Sequence, residues 1–402
     1  MKGWKEVRIG DLFEIKAGGD LQEANYSPCR TDHARWAIYA NSLENKGLYG
    51  YTSQPRFRGN AVTITGRGEV GHAEFRDDDF DAIVRLLVLL PKVDVDCRYI
   101  TYYINSLVHF PKESTGVPQL TAPKVKRIKI NLPQLKTEQT AIANILTKVD
   151  EAIVSVQNSI TVAERLKKSL MQNLLTGKMK PDGTFRTSEE FYIDEKFGKV
   201  PVGWEVKSID EISDFVQYGL NISSSDNGQI PMLRMNNIVN GEMSDSPLVY
   251  VNLNDQLLQQ YELEAGDILF NRTNSMDLVG KVGVFRLMGK YVFASYLIRV
   301  RVSKENNPYY INLALNSYPI QCSLRSKATP AVSQANINSK SLRHTQIFKP
   351  KKKDEQDLVM SKIEEVEHVI LQKNDKVKKL EQLKKSLMQN LLTGKIKIDK
   401  DI

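Results

Sequence analysis

The sequence predicts an α+β chain made by internal duplication. Two α/β globular domains are each followed by a long helix, the helices pair as a coiled coil, and a pseudo-two-fold relates the halves. Three observations predict this. The string LKKSLMQNLLTGK occurs at Leu166–Lys178 and again at Leu383–Lys395. A seam of apolar residues with heptad-like spacing precedes each copy. A Gly-Trp opening, Gly3-Trp4-Lys5-Glu6-Val7 and then Gly203-Trp204-Glu205-Val206, begins each half. Identity over thirteen positions is not chance, and a repeat at this spacing governs the reading of the whole architecture.

Residues 1–134 read as the first globular domain. Strand-like runs, Ala61-Val62-Thr63-Ile64-Thr65 and Ile83 to Leu90, are bounded by Gly, Asn and Pro. Tyr99 to Leu107 reads as a short helix. Lys124-Val125-Lys126-Arg127-Ile128-Lys129-Ile130 alternates basic and apolar residues, which predicts a strand with one cationic face. Pro133 ends it.

Residues 135–178 read as the first long helix. Its seam runs Ile142, Leu146, Val149, Ile153, Val156, Ile160, Ala163, Leu170, Leu174. Spacings that alternate between four and three predict a coiled coil. Lys167 interrupts the seam, as a residue that costs stability and sets register does. Gly177 suits the left-handed position just past a helix end. About forty residues at 1.5 Å each make a rod of roughly 60 Å.

Residues 179–197 form a linker with Pro181-Asp182-Gly183 as its turn. Residues 198–352 read as a second globular domain with little identity to the first. Gly266-Asp267-Ile268-Leu269-Phe270 is expected where Gly59-Asn60-Ala61-Val62-Thr63 sat. Tyr309 to Leu315 reads as its short helix, and Lys327-Ala328-Thr329-Pro330 parallels Glu113-Ser114-Thr115-Gly116. Residues 353–395 form the second long helix, with a seam at Val359, Ile363, Val366, Ile370, Val377, Leu380, Leu387 and Leu391. Lys373 stands where Val156 stood, and Lys384 matches Lys167. One scaffold carrying two different readers is the simplest explanation.

Composition narrows the function classes. The net charge of +8 permits nucleic-acid binding without proving it. Cys29, Cys97 and Cys322 lie far apart with no CxxC spacing, so neither a disulfide framework nor a metal site is expected, and a reducing cytoplasm fits. The longest apolar run, Ala82 to Leu90, is broken by Arg85 and is too short to span a bilayer. The first residues show no signal-peptide core.

Gly66-Arg67-Gly68-Glu69-Val70-Gly71 matches GxGxxG, but a dinucleotide site needs a helix directly after it. The sequence that follows reads as strand and turn. A glycine-rich loop carrying Arg67 better suits approach to a DNA groove. Its counterpart is Asn271-Arg272-Thr273-Asn274-Ser275. Arg reads guanine, and Asn adenine, with paired hydrogen bonds. The competing reading is a structural turn whose arginine meets solvent or phosphate. Lys124, Lys126, Arg127 and Lys129 form a basic cluster, approximately matched by Arg343, His344, Lys349, Lys351, Lys352 and Lys353; solvated charge is the alternative to phosphate contact. Asn307-Pro308-Tyr309-Tyr310 resembles an adenine-methyltransferase NPPY motif, yet it lacks the second proline and a preceding cofactor loop. It reads better as a helix cap. No GxxxxGK[ST] loop occurs.

Taken together, the two Gly-Trp openings, the stretch from Gly266 to Ser275, Leu132-Pro133 running into Glu138-Gln139, and the duplicated tails resemble the DNA-specificity subunit of type I restriction–modification systems. The resemblance covers almost the whole chain. It implies two target recognition domains, each reading half of a bipartite asymmetric site in double-stranded DNA. It implies an antiparallel coiled coil that sets half-site spacing and docks two adenine-N6 methyltransferase subunits, with restriction and motor subunits joining them. It implies a chain with no catalytic residue, metal or cofactor of its own. Candidate DNA contacts are Arg58, Arg67, Gly68, Lys124, Lys126, Arg234, Asn271, Arg272, Asn274, Ser275 and Lys281. Candidate subunit-interface residues are Leu170, Met171, Leu174, Leu387, Met388 and Leu391, which could instead be seam. The alternatives are a specificity subunit of a combined restriction–methylation enzyme outside type I, or an adenine-N6 methyltransferase.

Overall fold

The computed structural model describes residues 3–110, 119–330 and 334–398. The chain forms two compact units that do not follow chain order. Met1–Ser159 with Lys373–Ile402 make the first, and Ile160–Gln372 the second. Each unit therefore owns part of both long helices.

In the first unit, strand Trp4–Arg8 pairs antiparallel with Lys129–Pro133. A four-stranded antiparallel sheet follows, in the order Phe13–Ala17, Leu87–Pro91, Ala61–Ile64, Ala73–Arg76. Helix Cys97–Leu107 begins where the Asp96 carboxylate accepts the Arg98 and Tyr99 amide N–H groups, an N-cap that satisfies two donors the helix cannot. Tyr99, Ile100 and Ile104 are buried in one core with Phe13, Val62 and Ile64. The central helix spans Lys136–Leu175. Its Ile142, Ala143 and Leu146 join that core, together with Leu391 and Leu392 from the end of the terminal helix, Lys353–Leu391. Gln139 is buried and ties the helix start to the domain, donating to the Pro133 carbonyl and accepting the Asp96 N–H.

The second unit repeats this plan with other residues. Trp204–Ser208 pairs with Gln346–Pro350 in the same register, Trp204 facing Pro350 as Trp4 faces Pro133. Its sheet runs Ser213–Tyr218, Leu297–Val302, Ile268–Asn271, Val282–Val284, with two short strands beyond. Asn307 caps helix Pro308–Leu315 as Asp96 caps its twin, and Gln356 bonds Pro350 and Asn307 as Gln139 bonds Pro133 and Asp96. Leu174 and Leu175 of the central helix lie in this core, beside Val359 and Ile363 of the terminal helix.

Within each unit an ion pair ties the two helices among the described residues. Asp150 meets Lys384 at 2.6 Å in the first, and Lys167 meets Glu367 at 2.7 Å in the second. The second pair lies further along the central helix and further back along the terminal one, so the helices run antiparallel. Gly177 and Gly394 take φ of +65° and +68° just past the helix ends, as expected. Past the central helix, residues 179–201 form a turn followed by a two-stranded hairpin. Phe191–Asp194 pairs with Gly198–Pro201, and Gly183 turns the chain so that Thr184 receives the Lys180 N–H.

Several local expectations are corrected. Lys124 and Lys126 lie on a short helix, Ala122–Lys126, and only Lys129 onward is strand. Pro123 sits in the first helical turn, where its missing N–H costs nothing. Val125 and Ile128 then face inward one turn apart, a pattern that period-two alternation imitates over so short a stretch. Ile83 to Leu90 is not one strand: Val84 and Arg85 turn the chain with φ of +52° and +57°, and the strand begins at Leu87. The alignment of Val62 with Leu269 is one residue out. Val62 pairs with Leu89, which pairs with Ile15; Ile268 pairs with Val300, which pairs with Val216. Val62 is thus the twin of Ile268, and a one-residue slip would exchange the two faces of the strand. The match of Lys327–Pro330 to Glu113–Gly116 falls, on its first-domain side, outside the described residues.

Candidate functional site

The glycine-rich segment of the first unit joins antiparallel strands Ala61–Ile64 and Ala73–Arg76, so no helix follows it and no phosphate-binding helix end exists there. Thr65 closes the loop. Its hydroxyl donates to the Glu69 carbonyl at 2.5 Å and accepts the His72 N–H at 2.9 Å. Asn271 does the same work in the second unit. It is fully buried; its side-chain amide donates to the Leu278 carbonyl at 3.2 Å and its main-chain carbonyl accepts the Gly280 N–H at 2.9 Å, while Oδ1 is buried without a partner among the described residues. Asn271 is therefore a loop clamp and is not presented at the surface, contrary to the expected DNA contact.

A second strand crosses each loop. Gly66 accepts the Leu120 N–H and Arg67 bridges Gln119, whereas Arg272 accepts the Ile337 N–H and Thr273 pairs with Asn336. Arg67 thus stands where Thr273 stands, and Arg272 where Gly66 stands. The loops correspond; the two arginines sit on opposite faces of them. Arg272 is half-buried, its guanidinium carbon 4.8 Å from the centre of the Tyr218 ring and one Nη 3.5 Å from Asn336 Oδ1, with Nε unpartnered. Arg67 is half-buried without a side-chain partner among the described residues. Gly68 takes φ of +68° at an exposed position with open space beside its Cα.

The other sequence candidates divide. Asn274 donates to Met235 Sδ at 3.4 Å, which brings the segment after Arg234 against the loop that Ser275 and Lys281 expose. Arg234 is half-buried with an unpartnered Nε. Arg58, Lys124 and Lys126 are exposed. Members of the second basic run are used internally, among them His344, whose Nδ1 meets the Lys340 carbonyl, and Lys353, which donates to the Lys304 carbonyl. Lys349 is buried against Glu205 at 2.8 Å, and Arg343 pairs with Asp210 and donates to the Val216 carbonyl. Asn307 caps its helix, with Tyr310 buried behind it, as the cap reading expected. Cys97 is buried, and burial pushes its thiol up to about 12, so it is no nucleophile at neutral pH.

Sequence reasoning missed the Val84–Arg85 turn. Both residues are exposed, and a left-handed backbone at a β-branched residue is strained. Asn41 ties this turn to the glycine loop, donating to the Val84 carbonyl at 2.6 Å and accepting the Gly66 N–H at 2.7 Å. It also missed Tyr218 and Asn336, because neither lies near Arg272 in sequence.

Leu174 and Leu391 are buried in their own units' cores, while Leu170 and Leu387 pack against those cores. All four leucines thus contribute to the cores of their units. Met171 and Met388 line equivalent surface grooves. In the second unit a groove of about 650 Å³ has Glu164, Lys167, Lys168, Met171 and Gln172 on one wall and Leu313, Ala314 and Asn316 on the other. In the first unit a groove of about 620 Å³ has Glu381, Lys384, Lys385, Met388 and Gln389 facing Asn105, Ser106 and Leu107. The five tail positions are the same residue types in both. Opposite them, each groove has the end of the equivalent short helix. In the first unit the Tyr102 hydroxyl donates to Asp150 at 2.8 Å, and burial together with that carboxylate pushes its pKa well up, so it stays a donor.

Two units share one plan, with unlike loops and like helix tails. The type I restriction modification DNA specificity domain matches residues 1–165 and 201–384, and the chain belongs to that family. It is 27% identical over 327 residues to the MjaVIII specificity subunit of Methanocaldococcus jannaschii, covering 76% of this chain and 71% of that one. A second specificity-subunit sequence of that organism is 28% identical over 215 residues, and the match spans half of that relative's length. The EcoKI specificity subunit of Escherichia coli is 21% identical over 285 residues, covering 68% of this chain and 59% of that one. Among solved structures, the fold is similar to the type I S subunit from M. genitalium, with a TM-score of 0.57, 16% identity and 96% of each chain covered. It is also similar to the HsdS subunit from Thermoanaerobacter tengcongensis, with a TM-score of 0.50, 15% identity and 98% of each chain covered. Among the described residues no helix is long and apolar enough to cross a membrane.

Proposed function

We propose that the chain is the DNA reader of a type I restriction–modification complex and performs no chemistry itself. Each globular domain reads one half of a bipartite asymmetric site. The loops 65–72 and 271–281, with the Val84–Arg85 turn, supply the base contacts. Arg67, Arg85 and Arg272 are the base-reading arginines. Arg58, Lys124, Lys126, Arg234 and Lys281 serve phosphate contact, the sequence-independent and salt-sensitive part of affinity. Helix length sets the half-site spacing, and each tail groove seats one adenine-N6 methyltransferase subunit. Restriction subunits join this core. The observation that carries the reading is the contrast between like grooves and unlike loops. Identical walls suit two copies of one partner, while different loops suit two different half-sites.

The test is co-expression with the cognate methylation subunit, followed by mapping of modified adenines and mass measurement of the complex. One split site and two methylation subunits per chain are expected. K168E or K385E should each remove one methylation subunit, and the double variant both. Methyl transfer by this chain alone would refute the reading.

A further inference from the structure

We propose that the first unit carries a receptor for an arginine borne on an extended segment of a protein partner. The second unit holds the filled version of this site. There the Arg186 side chain is only 8% exposed. One Nη donates to Glu355 Oε1 at 2.8 Å, and the other to the Gly177 and Met179 carbonyls at 2.9 and 3.3 Å. The same Glu355 oxygen accepts the Trp204 indole N–H at 2.9 Å, and the guanidinium carbon lies 5.6 Å from the Trp204 ring centre.

The first unit repeats the frame. Trp4 holds the register of Trp204. Glu138 precedes Gln139 as Glu355 precedes Gln356, and those glutamines make matching bonds. Tyr99 and Tyr310 are buried behind the two glutamates, which act to raise both phenols after burial has done so. The helix tails close identically. Gly394 and Ile396 donate to Leu391 and Asn390, as Gly177 and Met179 donate to Leu174 and Asn173.

Among the described residues, the arginine is what the first unit lacks. Among the described residues no cation pairs with Glu138. Trp4 is 8% exposed, and its indole N–H is buried with no acceptor. An orphaned buried donor is rare and requires an explanation. In the twin, one carboxylate oxygen serves both indole and arginine, so an arriving guanidinium would draw Glu138 into the position that also satisfies Trp4. Lysine would not substitute: only a planar fork reaches a carboxylate and two carbonyls while facing an indole. The segment is extended because in the twin the Arg186 N–H bonds the Lys178 carbonyl and Phe185 bridges Met179, alongside the helix tail. The corresponding edge in the first unit is at Lys395 and Ile396. Glu138 supplies the negative charge that selects a cationic segment.

The probe is a synthetic peptide of this chain's own residues 178–197, added to the full-length protein with its tryptophan indoles labelled with nitrogen-15. Only Trp4, Trp36 and Trp204 contribute signals, and Trp4→Phe assigns one of them. We expect saturable binding with a shift of the Trp4 indole resonance. Glu138→Gln, a near-isosteric change, should weaken binding at least tenfold, and the Arg186→Ala peptide should not bind. No binding, binding indifferent to Glu138→Gln, or a shift confined to Trp204 would each overturn the proposal. None of these readouts involves DNA or methylation, so failure here is distinct from failure of the reader function.

Discussion

Lys384 meets Asp150 at 2.6 Å across the antiparallel helices of the first unit, and the pair is the repeat image of Lys167 with Glu367 in the second. Each lysine interrupts an apolar seam, and each finds a carboxylate on the facing helix. Lys384 also lies 5.6 Å from the Tyr102 ring centre, whose hydroxyl holds the same Asp150. The seam lysines are register pins. A helix displaced by one turn would leave a half-buried ammonium facing apolar residues.

That geometry predicts a charge-swap result. Lys384→Glu should lower stability by about 1 kcal/mol, the upper range for a partly exposed pair, because both side chains remain about one-third exposed and are screened. Adding Asp150→Lys should restore most of the loss. Urea unfolding of the two single variants and the double variant measures the coupling. Strict additivity would remove the register role.

The helix caps predict an asymmetric response to acid. Burial acts to raise the Asp96 pKa, but bonds from Arg98, the Tyr99 N–H and Thr140 outweigh it and hold the carboxyl below its ordinary range. Its folded pKa is therefore depressed. The stability it contributes is fully present above the unfolded value near 3.8 and is lost as pH falls through the lower folded value. Its twin, Asn307, does not titrate. Asp96→Asn should reduce the acid sensitivity of the first unit, at a cost near neutral pH of about 1 kcal/mol from the lost pairing with the partly exposed Arg98. Hydrogen exchange at pH 3 and 7 in Ile100–Ile104 and Ile311–Leu315 would report the two helices separately. Equal acid loss in both helices of the wild type would contradict this.

The loop arginines predict separable damage. Arg67→Ala and Arg85→Ala should relax the half-site read by the first domain, and Arg272→Ala the other half-site. Removing a base-reading arginine should cost about 1–3 kcal/mol of binding. Binding to duplexes mutated in one half at a time is the measurement. Uniform weakening on all sequences would make that arginine a phosphate contact. Because Arg67 corresponds to Thr273 and Arg272 to Gly66, exchanging loop residues at the paired positions should not transfer specificity.

Much of this architecture is legible in the sequence because repeats and periodicity are local signals. Thirteen identical residues, two Gly-Trp openings and alternating four-three spacing need no tertiary information. The groove wall is legible too, since Glu164, Lys168 and Gln172 repeat as Glu381, Lys385 and Gln389 outside the seam, a better signal of a shared surface than the seam leucines. Long-range pairing is not legible. The clamp role of Asn271 depends on Leu278 and Gly280, and the stack beneath Arg272 on Tyr218, 54 residues earlier. The one-residue error at Val62 arises because diverged strands keep their burial pattern and lose their identity. Arg85 is hidden inside an apolar run that reads as strand, and nothing in that run announces a left-handed turn.

A fragment of residues 1–180 should form a symmetric, active homodimer. It keeps the first domain and a whole central helix. In the intact chain the first core is completed by Leu391 and Leu392, with Leu387 and Met388 packed against it. The central helix carries the same residues at Leu174, Leu175, Leu170 and Met171, so a second copy supplies a tail of identical shape. Lys167 of each copy then meets Asp150 of the other, in place of Lys384. The groove wall is also kept, because Glu164, Lys168 and Gln172 match Glu381, Lys385 and Gln389. The point of strain is position 156, where Val replaces Lys373. Apolar packing there changes locally but buries no charge. With exact two-fold symmetry the target becomes palindromic, built from the first half-site and its inverted copy. Sedimentation gives the stoichiometry, and co-expression with the methylation subunit followed by adenine mapping gives the site. A monomeric inactive fragment, or one that still modifies the asymmetric site, would defeat the prediction.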